Sequence, residues 1–215
     1  MVNQTAFLRA AQNHKQATKI LQRTFEVKTV KKTRSLVKKW TKYEVSISVD
    51  IESHNNGKPG LITIKDFSKN IYFIRTGLDH NLTPELRDVF ENSKVTKIMH
   101  GAGHDIHCLS QSKIQIKNVC DVQYKHGLIH PANHSLTLNK LCSHYGLSGN
   151  PYKSKSRNRK WYCDSRPLPK NIMLYCAYDV ECLEELHESI LLKKLEKARK
   201  TKKQKFLNRS RIPKT

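Results

Sequence analysis

Asp50 and Glu52 are the residues whose type and spacing point most directly to chemistry. They close the stretch Val45-Ser46-Ile47-Ser48-Val49-Asp50-Ile51-Glu52, whose alternation reads as a β-strand. Side chains along a strand point alternately to opposite faces. Val45, Ile47, Val49 and Ile51 therefore share one face, and Ser46, Ser48, Asp50 and Glu52 the other. Two residues of rise separate the carboxylates by about 6.5 Å at the backbone, within reach of one cation or a pair of cations. Taken alone, the same pattern also fits solvated acids at the exposed end of an edge strand. Two further acids occupy telling positions. Asp105 follows the turn His100-Gly101-Ala102-Gly103 at a helix start, where the helix dipole alone favours a carboxylate by about 0.3–1 kcal/mol. Asp179 interrupts a stripe formed by Tyr175, Leu183 and Leu186 on the last long helix. A carboxylate on a buried face must be paired, protonated or bound to metal.

The elements that position these acids follow from periodicity. Phe25 to Val30 alternates as a strand, and Thr33 to Tyr43 places Leu36, Val37 and Trp40 on one side of a helix. The turn-rich run Asn55-Asn56-Gly57-Lys58-Pro59-Gly60 leads to two more strands at residues 61–64 and 71–74. Thr83-Pro84-Glu85 opens a helix to about Phe90, and Val95 to Met99 is a short buried strand ending at the glycine turn. A strand over Ile114 to Val122, a helix over Ser135 to Tyr145 ending at Gly146, and a final helix from near Lys170 complete the order. Strand, tight turn and helix in succession predict an α/β sheet with functional groups at strand ends and helix starts.

Charge is the unusual bulk property. Forty Lys+Arg stand against 18 Asp+Glu, a net charge of +22 over 215 residues. Residues 1–44 hold 11 basic and 2 acidic side chains, and residues 192–215 hold 11 basic and 1 acidic. The centre is nearly neutral, so a polyanionic partner would meet the ends. No apolar run approaches the roughly 20 residues of a membrane helix, and no membrane association is expected. Six cysteines without a Cys-x-x-Cys pair, and no secretory h-region, indicate a reducing intracellular compartment. His104, His107 and Cys108 lie close together but lack further ligands at zinc spacing. Residues 1–25 carry no acid, and read either as a mitochondrial presequence or as a basic helical or disordered arm.

Three ordered segments bring the acids together. Val49-Asp50-Ile51-Glu52, Lys97-Ile98-Met99-His100-Gly101-Ala102-Gly103-His104-Asp105-Ile106 and Tyr175-Cys176-Ala177-Tyr178-Asp179 resemble the three motifs of the DEDD superfamily of 3′–5′ exonucleases, in its tyrosine subgroup. The resemblance is to the branch containing RNase D and the nuclear exosome's catalytic exoribonuclease. Cys120-Asp121-Val122-Gln123, His134-Ser135-Leu136, and Trp161 through Arg166-Pro167-Leu168-Pro169 extend it over residues 25–190. Thr63 departs from the glutamine of many relatives, the loop between Lys153 and Trp161 is unusually basic, and no room is expected for their helical accessory domain or N-terminal region.

The resemblance implies an RNase H-like mixed sheet flanked by helices. That exonuclease domain would span 25–191, between a basic arm at 1–24 and a basic, disordered tail at 192–215. It implies two divalent cations, Mg²⁺ or Mn²⁺. Asp50 would bridge them, Glu52 and Asp179 would complete one site, Asp105 would hold the other partly through water, and Tyr175 would orient the attacking water. The implied substrate is single-stranded RNA, cut from its 3′ end, with nuclear localisation favoured. His100, Lys153 and Arg166 are the residues nearest this site that could touch nucleic acid. His100 could equally support its turn, and Arg166 could equally be an ion-pair partner. Trp161 is read as core. A 3′–5′ DNA exonuclease and a non-catalytic RNA-binding adaptor on the same fold remain alternatives, although an unused cluster of buried carboxylates would destabilise an adaptor.

Overall fold

Alternating and continuous apolar runs form six strands: β1 (Thr24–Val27), β2 (Val45–Ser53), β3 (Pro59–Lys65), β4 (Ile71–Arg75), β5 (Val95–Met99) and β6 (Val119–Asp121). The computed structural model describes residues 4–53, 56–76, 84–153 and 167–210, with side chains between 12 and 201 in those ranges. The strands make one mixed sheet in the order β1-β4-β3-β2-β5-β6. Only β3 runs against its neighbours; β2, β5 and β6 are parallel. Their carboxyl ends therefore share one edge of the sheet, where α/β proteins place functional groups.

Helices cover both faces: α1 (Gln4–Leu21), α2 (Val30–Thr41), α3 (Arg87–Phe90), α4 (Gly103–Gln111), α5 (Val122–Ile129), α6 (Leu138–His144) and α7 (Lys170–Ser210). Ile47, Val49 and Ile51 of β2 pack with Trp40 of α2, Phe90 of α3 and Leu109 of α4. On the opposite face Leu61, Ile71 and Phe73 meet Ile20 of α1 and Ile172, Ala177 and Val180 of α7. Ile98 and Cys120 meet Leu141 of α6 and Leu183 and Leu186 of α7. Each such fully buried side chain contributes about 1.5–3 kcal/mol. The carboxylate face of β2 is thus the face that α7 covers.

Local chemistry explains where element ends differ from the sequence expectations. β1 stops at Val27 because the Thr29 side chain accepts from Lys32 N and caps α2. The strand expected from Ile114 begins only at Val119. Ile114 packs into the core ahead of it, Lys117 N donates to Phe90 O, and Asn118 takes a positive φ. It ends at Asp121, whose carboxylate caps α5, a helix the periodicity did not reveal. The helix expected over Ser135 to Tyr145 is confined to Leu138–His144, with Gly146 at φ +72 just beyond it.

The segment expected to be disordered from residue 192 is helical as far as Ser210. Lys, Ala, Leu, Gln and Arg are good helix formers, and no Gly or Pro interrupts the run before Pro213. The expected N-terminal arm is the helix α1, whose Ala17 and Ile20 are buried in the domain. Among the described residues no helix is long and apolar enough to cross a membrane.

Candidate active site

β2 carries Asp50 opposite Thr63 and Glu52 opposite Leu61 in the β2–β3 ladder. Asp50 Oδ2 is buried and has no hydrogen-bond partner. Burial first, then the charges of Asp179, Glu52 and Asp105, push its pKa well above the usual carboxylate range. Asp105, buried in the first turn of α4, is raised to about 8 by burial and then by Glu52 and Asp121. Asp179, in the third turn of α7 and 2 % exposed, is raised by burial, with Lys153 and Asn150 pulling the other way. The structure therefore brings Asp50, Glu52, Asp105 and Asp179 into one electrostatically coupled group. Tyr175 lies one turn before Asp179 on α7.

Lys153 enters the same group. Its Nζ lies 2.9 Å from Asp179 Oδ2 and 5.2 Å from the centroid of the Tyr175 ring. Burial alone would lower its pKa, but Asp179, Asp50 and Glu52 raise it, so the ammonium form is held there. His100 is placed at the turn after β5 with Nε2 2.9 Å from the Leu136 carbonyl. Burial lowers its pKa, and the Leu136 carbonyl pulls it back up. Arg166 and Trp161 lie outside the described residues.

Two positioning residues have no periodic signal in the sequence. Asn150 donates through Nδ2 to Asp179 Oδ1 (2.9 Å) and to the Tyr175 carbonyl (2.7 Å), fixing both residues at once. Asn139 of α6 holds Asn150 in turn, accepting from its N–H at 2.8 Å and donating to its carbonyl at 3.0 Å. A Cβ on Gly149 would come within 2.9 Å of the Asn139 side chain, so this approach requires glycine. Asp121 performs the equivalent task for Asp105. Its carboxylate accepts from Gly101 N (3.1 Å) and Ala102 N (2.9 Å) in the turn ahead of α4, and from Gln123 N (2.9 Å). The Asn in Gly149-Asn150-Pro151 and the Asp of the Cys120-Asp121-Val122-Gln123 signature were the available clues.

Comparison with known proteins bears on the family and the fold. The chain is 30 % identical over 173 residues to Protein RRP6-like 2 of Arabidopsis thaliana, covering 77 % of this chain and 19 % of that protein. The catalytic core of RRP6 from Trypanosoma brucei matches with a TM-score of 0.61 and 24 % identity, over 80 % of this chain and 46 % of that one. Escherichia coli RNase D, an exoribonuclease involved in structured RNA processing, matches with a TM-score of 0.64 and 17 % identity, over 79 % of this chain and 44 % of that one. The chain thus spans about a fifth of the plant relative and under half of each solved structure. The two structures speak for the fold. Residues 24–196 match the model of the 3′–5′ exonuclease family, and with four fifths of its length inside that match the chain belongs to this family.

Proposed function

We propose that the chain is a metal-dependent 3′–5′ exoribonuclease that releases nucleoside monophosphates from single-stranded RNA. One observation carries the reading: four carboxylates converge on a buried edge of the sheet, and Asp50 Oδ2 there has no donor. A buried acid with no partner is costly, and like charges around it raise the cost. Divalent cations would offset both. The donors are all carboxylate oxygens, a hard set that fits Mg²⁺ or Mn²⁺. Asp50, Glu52, Asp105 and Asp179 would hold two such ions, which stabilise charge on the attacking and leaving oxygens of a phosphodiester displacement.

The chain's own groups do the rest. Asn150 fixes the Asp179 carboxylate and the Tyr175 backbone together, so the Tyr175 hydroxyl is delivered on the same helical turn as its carboxylate neighbour and orients the attacking water. Asp121 clamps the turn before α4 and so sets the direction of Asp105. Lys193, Lys194, Lys197, Arg199 and Lys200 on the exposed part of α7 contact RNA phosphates without reading sequence. An intracellular, nuclear setting belongs to the same proposal, supported by free, buried Cys108, Cys120, Cys142, Cys176 and Cys182.

The test incubates the protein with 3′-labelled and 5′-labelled RNA and DNA strands in Mg²⁺, Mn²⁺ or EDTA. Metal-dependent mononucleotide release from the 3′ end of RNA is the expected result. Preference for DNA would replace the substrate, and metal-independent binding without cleavage would leave the adaptor reading. Deleting residues 193–215 should weaken RNA binding and flatten its salt dependence, by about 0.7 in slope per lost contact, while sparing hydrolysis of a short oligonucleotide. Equal salt slopes for both proteins would remove the tail from the RNA path.

A further inference from the structure

On the side of the molecule formed by α5 and α6, three histidines pack ring against ring. His126 lies in the last turn of α5, His130 follows four residues on as the residue that caps its end, and His144 ends α6. Their ring centroids form a nearly equilateral triangle with sides of 4.8, 4.8 and 4.9 Å. One nitrogen from each lies within 4.8 Å of the others. Tetrahedral coordination at about 2.0–2.1 Å per Zn–N bond places ligand nitrogens roughly 3.4 Å apart, so modest ring rotations close the set.

The buried member supplies an independent indication. His126 is 0 % exposed, and its Nδ1 lies 3.1 Å from the Tyr145 hydroxyl. Its Nε2 is buried without a hydrogen-bond partner; the Asn133 backbone, which pulls the ring's pKa up against its burial, does not meet hydrogen-bond geometry with it. A buried imidazole nitrogen left open is expensive in a closed core. Metal-binding histidines commonly show this division, one nitrogen oriented by an outer partner and the other free to coordinate. His130 is half-buried and His144 exposed, which gives an ion a route from solvent.

The geometry points to a transition-metal site made by His126, His130 and His144, separate from the carboxylate centre, binding Zn²⁺ with an open fourth position for water. Lys193 and Lys197 oppose positive charge at His130. Affinity therefore comes from imidazole coordination rather than from the local field. That selects Zn²⁺ or a similar borderline ion and rejects Mg²⁺, which prefers oxygen ligands. The bound ion clips α5 to α6. α5 is capped by Asp121, which sets the turn before Asp105, and α6 carries Asn139, which holds Asn150 against Asp179. The clip fastens together the two helices that position opposite sides of the carboxylate group.

The test uses the full chain, stripped of metal and titrated with Zn²⁺ in millimolar Mg²⁺, which saturates the carboxylates. Bound zinc is measured by mass spectrometry after gel filtration, Co²⁺ absorption reports the ligand field, and thermal melts report the stabilisation. The wild type should retain one zinc per chain and melt higher with it. His130→Asn and His144→Gln should each lower zinc affinity at least tenfold and together remove the melting shift, and Tyr145→Phe should lower affinity about tenfold. Asp50→Asn should bind zinc as the wild type does. If the double variant melts differently from the wild type in EDTA, His144→Gln alone, at the exposed ring, decides the matter. Zinc retention equal in wild type and histidine variants, or lost in Asp50→Asn, would overturn the site, as would a wild type that retains none.

Discussion

The two ends of the central strands hold buried carboxylates in opposite circumstances. At the end of β3, Asp66 is 2 % exposed and fully provided for. Oδ2 accepts from Lys39 Nζ (2.8 Å) and Trp40 Nε1 (3.4 Å), and Oδ1 from Ser68 N (2.9 Å) and Asn70 N (3.1 Å). At the other end, near the close of β2, Asp50 Oδ2 has no donor and three acids around it. Asp66 is buried as a whole and Asp50 half-buried with its Oδ2 closed off from solvent, but the larger difference lies in the donors. A carboxylate surrounded by N–H groups maintains structure; one surrounded by carboxylates is costly in the bare protein unless protonated or bound to a cation, and the proposed metal site rests on that cost.

Exchanging each acid for its amide should separate the two roles sharply. Asp50→Asn is expected to lower exonuclease turnover by at least roughly 10³-fold, because under the proposed function it removes a metal ligand. It should leave the melting temperature in EDTA unchanged or higher, because one of four repelling charges is gone. Asp66→Asn should do the reverse: a loss of about 2–3 kcal/mol, since an amide nitrogen now faces donors, with turnover at a permissive temperature preserved. Paired activity assays and thermal melts measure both. A destabilised, still active Asp50→Asn would abolish the contrast.

Much of this contrast was legible in the sequence, and the reasons are physical. Asp50 and Glu52 are separated by the strand period, and Asp179 breaks an apolar helix stripe, so both patterns announce the acids. Asn150 and Asp121 were not legible as site residues because they act through hydrogen bonds spanning 19 to 29 residues of chain, which no local pattern records. The histidine triad was hidden for another reason. α5 has eight residues and buries only Val122 and His126, so it shows no apolar stripe, and without the helix the spacing of His126 and His130 carries no meaning. The basic tail was misjudged from its polarity, whereas its high content of helix formers sets its backbone.

Metal addition sharpens the comparison at a smaller scale. Cations bound only to the folded state stabilise it by about 2.7 kcal/mol at a hundredfold excess over the dissociation constant, roughly 5–10 °C for a chain of this size. Mg²⁺ should therefore raise the melting temperature of the chelator-treated wild type and of Asp66→Asn equally. It should not raise that of Asp50→Asn combined with Asp179→Asn. An equal shift in that double variant would place the ions elsewhere.

The smallest effect is the most discriminating, because the two ends share a lysine of the same kind. Lys39 lies 2.8 Å from Asp66 and Lys153 2.9 Å from Asp179, and the two side chains are 38 % and 39 % exposed. At such exposure each pair contributes at most about 1 kcal/mol. Lys39→Met should simply lower stability by up to that amount. Lys153 differs because the oxygen it occupies is one a divalent cation would claim. Lys153→Met should cost similar stability in EDTA yet lower the Mg²⁺ concentration for half-maximal cleavage by up to about fivefold, since the ion no longer competes with an ammonium group for Asp179. A magnesium titration of initial rates on a short RNA measures it. If half-saturation is unchanged and only the rate or the KM for RNA suffers, Lys153 serves the nucleic acid instead of balancing the carboxylates.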